Sequence, residues 1–370
     1  MKVTAAITHE KGAISIETVE LAEPKASEVQ VKIIASGVCH TDAAGRNQVI
    51  PVTLPAIFGH EGVGIVEKVG EGVSALKPGD RVIMSFPSCG ECENCLDGHP
   101  YSCEIMNALM FDGCYKDGTK RFSQNGVPVS SFFGQGAFAS HVVVDARNAV
   151  KVDVKDDEEL SHLCSLGCGV NTGAGSVLNG LKPRPGTSLV VFGCGGVGMA
   201  AIMAAKIAGC SQVIGVDVVP SRLELAMEVG ATHVVNSREV EDPVAEIKKI
   251  TGGGAHYSVE SSGIPALSLQ ALNCLRRLGT CVLVSVTGEA TVPIALEPQL
   301  MNPSNTLMGL TEGGSNPQTF IPQLVRYYQE GRLPIDKLIK FYDFEDIEQA
   351  FQDSASGVTI KPILRMAHLD

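Results

Sequence analysis

Four cysteines fall within fifteen residues in CGECENCLDGHPYSC (89–103): Cys89, Cys92, Cys95 and Cys103, with the spacing C-x2-C-x2-C-x7-C. Tetrahedral Zn²⁺ accepts four thiolates readily, and spacings this short let one loop wrap the ion. Iron–sulfur clusters also take four cysteines, but the seven-residue gap and the absence of a following proline favour zinc. A disulfide pair is the plain structural alternative, and it is disfavoured in a reducing compartment. A shell closed by four sulfurs has no open corner, so the expectation here is a brace and not a reaction centre.

A catalytic zinc needs three protein ligands and a free position. Candidates are scattered: Cys39 in GVCHTDAAG, His60 beside Glu61 in FGHEGVG, and Cys164 and Cys168 in LCSLGCGVNTG. Local spacing does not assemble them, and a lone buried cysteine is commonly a small hydrophobe. Cys194, Cys210, Cys274 and Cys281 sit in or beside apolar segments and read as free core thiols, while Cys114 lies in a polar loop. His141, His162 and His233 read as structural.

VVFGCGGVGMA carries Gly193, Gly195 and Gly198 in the order G-x-G-x-x-G. The motif alone is weak in a chain with 40 glycines. Here it follows an apolar strand and opens a helix, and Asp217 ends the next strand 19 residues beyond Gly198. The glycines allow a tight turn and let a pyrophosphate approach the amides at a helix N-terminus. Asp217 is suited to bind ribose hydroxyls and to repel a 2′-phosphate, which predicts NAD over NADP. Gly196, Val197 and Arg222 complete the candidate coenzyme-binding set.

These residues need a scaffold, and the pattern around them supplies two styles. Up to about residue 168 the chain reads as short strands and glycine-rich turns, as in EVQVKIIASGV and GVGIVEKVGEGV. From about 187 strand and helix alternate: SLVVF, QVIGVD, HVVN, HYSVES, CVLVSV and NTLMGL are six strand candidates, and PALSLQALNCLRRLG reads as one of the helices between them. Such alternation predicts a doubly wound parallel sheet. The tail returns to the first style, with helices around 317–330 and 344–353. At 370 residues two domains are expected, with boundaries read as 1–169 (including the lobe 89–103), 170–311 and 312–370.

Composition narrows the function classes. A net charge of −12 and no Lys/Arg cluster argue against nucleic-acid or anionic-membrane partners. The first residues alternate like a strand and lack the apolar core of a signal peptide, so a cytoplasmic location is the default expectation.

Taken together, the motifs resemble the zinc-dependent medium-chain alcohol dehydrogenases over essentially the whole chain. GHEGVGIVEKVGEGV (59–73) matches that family's G-H-E-x2-G-x5-G-x2-V signature, and KPGDRV (77–82), the four-cysteine lobe and the nucleotide fingerprint follow in the family's order. The resemblance implies a GroES-like β-rich catalytic domain and a Rossmann domain with a six-stranded parallel sheet. It implies two zinc ions per chain and NAD. By it, Cys39, His60 and Cys168 correspond to the catalytic zinc ligands, and Cys164 to a neighbouring non-ligand. Glu61 lies next to the metal as an exchangeable ligand, Thr41 touches the alcohol, and Asp42 orients His60. Lys361, in VTIKPIL, corresponds less specifically to a basic residue near the coenzyme phosphates.

Two departures point within the family. His40 follows the first zinc cysteine where ethanol-oxidising animal relatives usually carry Arg, and Ala44 stands where they carry a proton-relay His. Both features, and the segment 110–145, resemble the benzyl (aryl) alcohol dehydrogenase branch. The resemblance implies a small-molecule primary aryl or allylic alcohol and its aldehyde as partners; since Ala44 cannot carry a proton, the expectation is that water takes it over, with His40 near the pyrophosphate. By the same resemblance the last parallel strand, NTLMGL, is a sheet edge that pairs with another subunit, so a homodimer or homotetramer is expected. The competing enzyme reading is a formaldehyde (hydroxymethylglutathione) or short aliphatic alcohol dehydrogenase. A zinc-stabilised nucleotide sensor without turnover is the non-enzymatic one.

Overall fold

The computed structural model describes residues 1–366 together with His368 and Leu369. They divide into two compact units. One comprises Met1–Cys168, Asn316–Arg326 and Ile335–Asp370; the other comprises Gly169–Ser315 and Tyr327–Pro334.

The first unit is built mainly from antiparallel strands, with Ala56–Ile57 parallel to Val127–Ser131 and Ile339–Asp343 parallel to Lys361–Arg365. Five of them, Lys2–Thr8, Ser15–Leu21, Phe122–Gln124, Val127–Ser131 and Ala56–Ile57, close a barrel. A seven-stranded sheet accompanies it, organised around the strand Glu28–Gly37. That strand is buried on both faces, with only Lys32 partly exposed, which explains its run of apolar residues. Its last residues pair with Glu61–Val69, in the register Gly37↔Glu61, and with Lys361–Arg365, in the register Ile363↔Gly37. The helix His40–Arg46 starts just after the same strand end, with Cys39 as its N-cap. Sequence separations of more than three hundred residues thus collapse onto one corner of the sheet. Beneath it lies an apolar core that includes the fully buried Phe58, Phe122, Phe132 and Phe138.

The second unit is a six-stranded parallel sheet in the spatial order His233–Asn236, Gln212–Asp217, Ser188–Phe192, Ala255–Glu260, Leu275–Leu283, Thr306–Gly309. Chain order reverses beside Ser188–Phe192, so the crevice at that strand's carboxyl end is the switch point where such sheets bind ligands. The following helix, Gly196–Ile207, is buried from Gly198 to Ala205, as its small apolar residues require. The six strands expected from the alternation are therefore present.

One element differs. The segment PALSLQALNCLRRLG reads as a continuous helix, but the helix stops at Asn273 and Leu275–Leu283 is already strand. Pairing of Leu275 with Ala255 recruits this stretch into the sheet, with a register irregularity before Tyr257↔Thr280. Leu278 takes a positive φ of 62° there and is exposed. Tertiary pairing overrides a helical period that is real in the sequence. The two tail helices form at Pro317–Gln329 and Ile347–Ser356, the second extended at its start by a 3₁₀ turn, Phe344–Asp346.

Candidate active site

Cys39, His60, Glu61 and Cys168 bring one donor atom each within 4.8 Å of one another. The strand end after Gly37 supplies Cys39, the start of its antiparallel partner supplies Glu61 with His60 just before it, and a 3₁₀ turn, Cys164–Gly167, delivers Cys168. His60 is fully buried, and its Nδ1 lies 2.7 Å from Asp42 Oδ1. With the Nδ1 proton given to Asp42, Nε2 is left as the donor, 3.2 Å from Cys168 Sγ. Nitrogen and sulfur on a common tetrahedral zinc stand ~3.5 Å apart, so the pair needs to open by only a few tenths of an ångström. Two thiolates and one imidazole, with no third cysteine, form a zinc-type set with an open position, and these residues fit the ion.

The electrostatics suit a cation. The Cys168 sulfur holds Cys39 well below the ordinary thiol range against the opposing effect of burial, and His60 and Lys361 add to it. Burial disfavours a charged His60, but Asp42 and Cys39 outweigh it and hold the imidazole well above the usual histidine range. A metal therefore competes with a proton for this ring. Asp42 is completely buried and accepts three hydrogen bonds: Oδ1 also accepts the Gly59 amide at 3.0 Å, and Oδ2 accepts the Cys39 amide at 3.0 Å. One carboxylate thus ties together the two backbone segments that present Cys39 and His60. Thr41 Oγ1 lies 3.7 Å from Cys39 Sγ, at the edge of the cluster. His40 is exposed, Ala44 is half-buried, and Cys164 is buried with its Sγ on the Ser161 carbonyl at 3.2 Å, outside the donor group.

Lys361, expected beside the coenzyme phosphates, is engaged in this structure by Glu61. Its ammonium is buried and sits 2.8 Å from each oxygen of Glu61, with the Val38 carbonyl at 3.4 Å. Burial alone would favour the neutral amine; Glu61, Cys39 and Cys168 overrule it and keep the lysine charged. The physical reason is the strand pairing that lays Lys361–Arg365 against the end of Glu28–Gly37.

Sequence reasoning did not single out the aromatic wall around His60. The Phe133 ring stacks on the imidazole at 4.4 Å, Phe132 meets it edge-on at 5.8 Å, and Phe58 and Phe111 pack against Phe132 at 5.0 and 6.0 Å. The adjacent phenylalanines in SSFFGQG were the available signal.

In the lobe, Cys89, Cys92, Cys95 and Cys103 likewise cluster within 4.8 Å. None of the twelve cysteines is joined in a disulfide, and Cys89 and Cys95 sulfurs stand 3.8 Å apart. That is far beyond a disulfide bond and matches the ~3.8 Å between sulfurs on one tetrahedral zinc. Burial opposes ionisation of Cys89, but the amides of Glu91 and Cys92 on its sulfur bring its pKa down to about 6. The four donors fit a closed zinc shell.

In the second unit Gly193 has φ of 90°, and a Cβ on Gly198 would lie 1.8 Å from the Gly193 carbonyl, so the turn closes only with glycine there. Gly195 is the N-cap of the helix that begins with Gly196, Val197 and Gly198, leaving its first amides for an anion. Asp217 is fixed by three amides, those of Cys194 at 2.7 Å, Val218 at 2.7 Å and Val219 at 3.0 Å. A carboxylate has about four acceptor sites, so it arrives pre-positioned with capacity left for a ribose hydroxyl. Arg222 is half-buried on the first turn of the next helix, Pro220–Val229.

Among the described residues no helix is long and apolar enough to cross a membrane. The model of the alcohol dehydrogenase GroES-like domain matches residues 25–154, and that of the zinc-binding dehydrogenase matches 196–329. The chain is 44% identical over 356 residues to geraniol dehydrogenase of Castellaniella defragrans, covering 95% of this chain and 94% of that one. Among solved structures, an alcohol dehydrogenase zinc-binding domain protein from Burkholderia ambifaria is 46% identical over all of both chains, with a TM-score of 0.97. Benzyl alcohol dehydrogenase from Acinetobacter calcoaceticus is 42% identical over 99% of both, with a TM-score of 0.94.

Proposed function

Because the chain belongs to the zinc-dependent medium-chain alcohol dehydrogenase family, we propose that it oxidises a primary aryl or allylic alcohol to the aldehyde with NAD. The observation that carries this reading is the convergence of Cys39, His60 and Cys168 beside the Thr41 hydroxyl and under an aromatic wall. Geraniol and benzyl alcohol, for which two of these relatives are named, both carry an unsaturated carbon next to the carbinol. An unsaturated neighbour stabilises the polarised transition state of hydride loss, and aromatic rings give such substrates complementary surface.

When bound, zinc supplies a Lewis acid for the alcohol oxygen and the nicotinamide supplies the hydride acceptor. The chain supplies the rest. Cys39, His60 and Cys168 hold the ion, and Asp42 keeps Nε2 of His60 aimed at it. Thr41 takes the hydroxyl proton through Oγ1. Ala44 has no group to pass that proton on, so it leaves by water, with His40 at the exposed entrance of the same helix. Lys361 holds Glu61 as a reserve oxygen ligand. Gly193–Gly198 receive the pyrophosphate, Asp217 takes the adenosine ribose and Arg222 lies beside it. The domain division 1–169, 170–311 and 312–370 belongs to the same reading, as does assembly into a dimer or tetramer.

A panel of benzyl alcohol, geraniol, ethanol and hydroxymethylglutathione, assayed with NAD and NADP alongside zinc counting, tests it. The expected result is two zincs per chain and highest kcat/KM for benzyl alcohol or geraniol with NAD. Preference for hydroxymethylglutathione or ethanol would move the protein to the formaldehyde-type or aliphatic branch. Absence of any alcohol-dependent NADH formation would overturn the enzyme reading.

A further inference from the structure

Arg147 belongs to neither ligand set, yet its guanidinium is built into the four-cysteine lobe. Nε and Nη2 fork onto Asp145, at 3.0 Å from Oδ1 and 2.7 Å from Oδ2. This bidentate hold leaves Nη1 to donate to the carbonyl of Cys89. The backbone of the same residue is fixed too: its amide donates to Asp145 Oδ1 at 2.9 Å, and its carbonyl accepts from Gln318 Nε2 at 2.8 Å. The next residue of the lobe is Gly90, with φ of 74°, and a Cβ there would lie 1.9 Å from Nη1. The arginine therefore occupies the space over the turn that joins the first two cysteines. Under it, the amides of Glu91 and Cys92 point at Cys89 Sγ at 3.4 and 3.3 Å.

We propose that Arg147 is the positioning residue of the four-thiolate zinc site, holding the Cys89–Cys92 turn in its metal-ready conformation and slowing the opening that releases the ion. An exposed ion pair with Asp145 alone would contribute little. What sets this pair apart is the third donor on the backbone of a ligand residue, and the glycine that makes room for it. Lys116 also reaches the lobe, but through the exposed side chain of Glu91, 2.5 Å away, and leaves the backbone alone. Lysine cannot replace the arginine, since one ammonium does not reproduce a planar fork serving a carboxylate and a carbonyl together.

The inference rests on reading the four cysteines as a zinc site, and the test separates the two. Zinc release from the fully loaded protein to a chromophoric chelator is followed as two equivalents, with thiolate-to-cobalt charge-transfer bands of the cobalt-substituted protein identifying the four-sulfur site. Arg147→Ala should release that one equivalent roughly 10- to 100-fold faster, the usual scale for loss of an outer partner of a metal ligand, with the other equivalent unchanged. Arg147→Lys should fall between, Asp145→Asn should speed the same phase, and the double variant Arg147→Ala/Asp145→Asn should be no faster than Arg147→Ala. Release at the wild-type rate in Arg147→Ala, or equal acceleration of both equivalents, overturns the proposal. If Arg147→Ala does not fold, wild-type release by both Arg147→Lys and Asp145→Asn overturns it equally. Wild-type protein lacking a four-sulfur signature overturns the zinc reading itself, before any variant is made.

Discussion

Asp42→Asn tests the core of the active-site argument with the smallest change in shape. The wild-type carboxylate is buried and receives three N–H donors: Gly59 and His60 on Oδ1, Cys39 on Oδ2. An asparagine amide has one acceptor and one donor end. In its better orientation the NH₂ faces the Cys39 amide, and in the worse one it faces Gly59 and His60. At least one buried donor is left unpaired, which costs about 1–3 kcal/mol. Part of that cost falls on the ligand arrangement, since whichever segment loses its partner, that of Cys39 or that of Gly59 and His60, carries a metal donor. Loss of a carboxylate behind a ligand imidazole typically weakens metal binding roughly 10- to 100-fold, equivalent to about 1.4–2.8 kcal/mol. Competition against a chelator of known zinc affinity measures this directly, with the four-cysteine site as internal control. The expected result is selective loss of one zinc and a parallel fall in activity, restored in part by excess zinc. Retention of both zincs at wild-type affinity, or equal loss of both, would refute the role given to Asp42.

Other perturbations follow from the same geometry. Asp217→Asn removes a charge held by three amides; charge-assisted hydrogen bonds contribute ~1.5–3 kcal/mol, so kcat/KM with NAD should fall about 10- to 100-fold and with NADP much less. An unchanged coenzyme ratio would count against a ribose contact. Phe133→Leu removes the ring stacked on His60 at 4.4 Å. With aromatic pairs worth ~0.5–1.5 kcal/mol, the preference for benzyl alcohol over cyclohexylmethanol should drop about 2- to 12-fold, and an unaltered preference would show that the ring does not meet the substrate. Asp353 is held down to about 2 by Tyr342, Lys340 and Gln349. Its folded-state pKa lies below the unfolded value near ~3.9, so its stabilisation is complete above that pH and is lost as the pH falls through the folded value. Asp353→Asn should therefore lower Tm at pH 7, and the gap to wild type should shrink below about pH 4; a pH-independent gap would mean the charge is not involved.

How much of this was legible in the chain depended on the range of the interaction. The parallel sheet was readable because each strand and helix announces itself within a dozen residues: SLVVF alternates into a buried helix, and Gly193–Gly198 fix the turn between them. The helix over 265–279 was misread for the complementary reason. Its period is local, and the pairing of Leu275 with Ala255 that ends it is not. The four-cysteine site was equally local, since one loop carries all its donors.

The three-donor site was not. Cys39, His60 and Cys168 share no spacing rule, and family resemblance, not local pattern, selected them from the other cysteines. What joins them is the antiparallel register Gly37↔Glu61 and the buried Asp42, which together bring two strand ends and a distant turn to one point. Lys361 makes the same point more sharply. The sequence offered a basic residue near the C-terminus, and only the pairing of its strand against Glu28–Gly37 decided that its charge would face Glu61. Residue types and short spacings determined which ions and coenzyme this protein is equipped to hold. Strand pairing across hundreds of residues decided which side chains meet, because donors gathered from several segments have positions only once the sheet that carries them has closed.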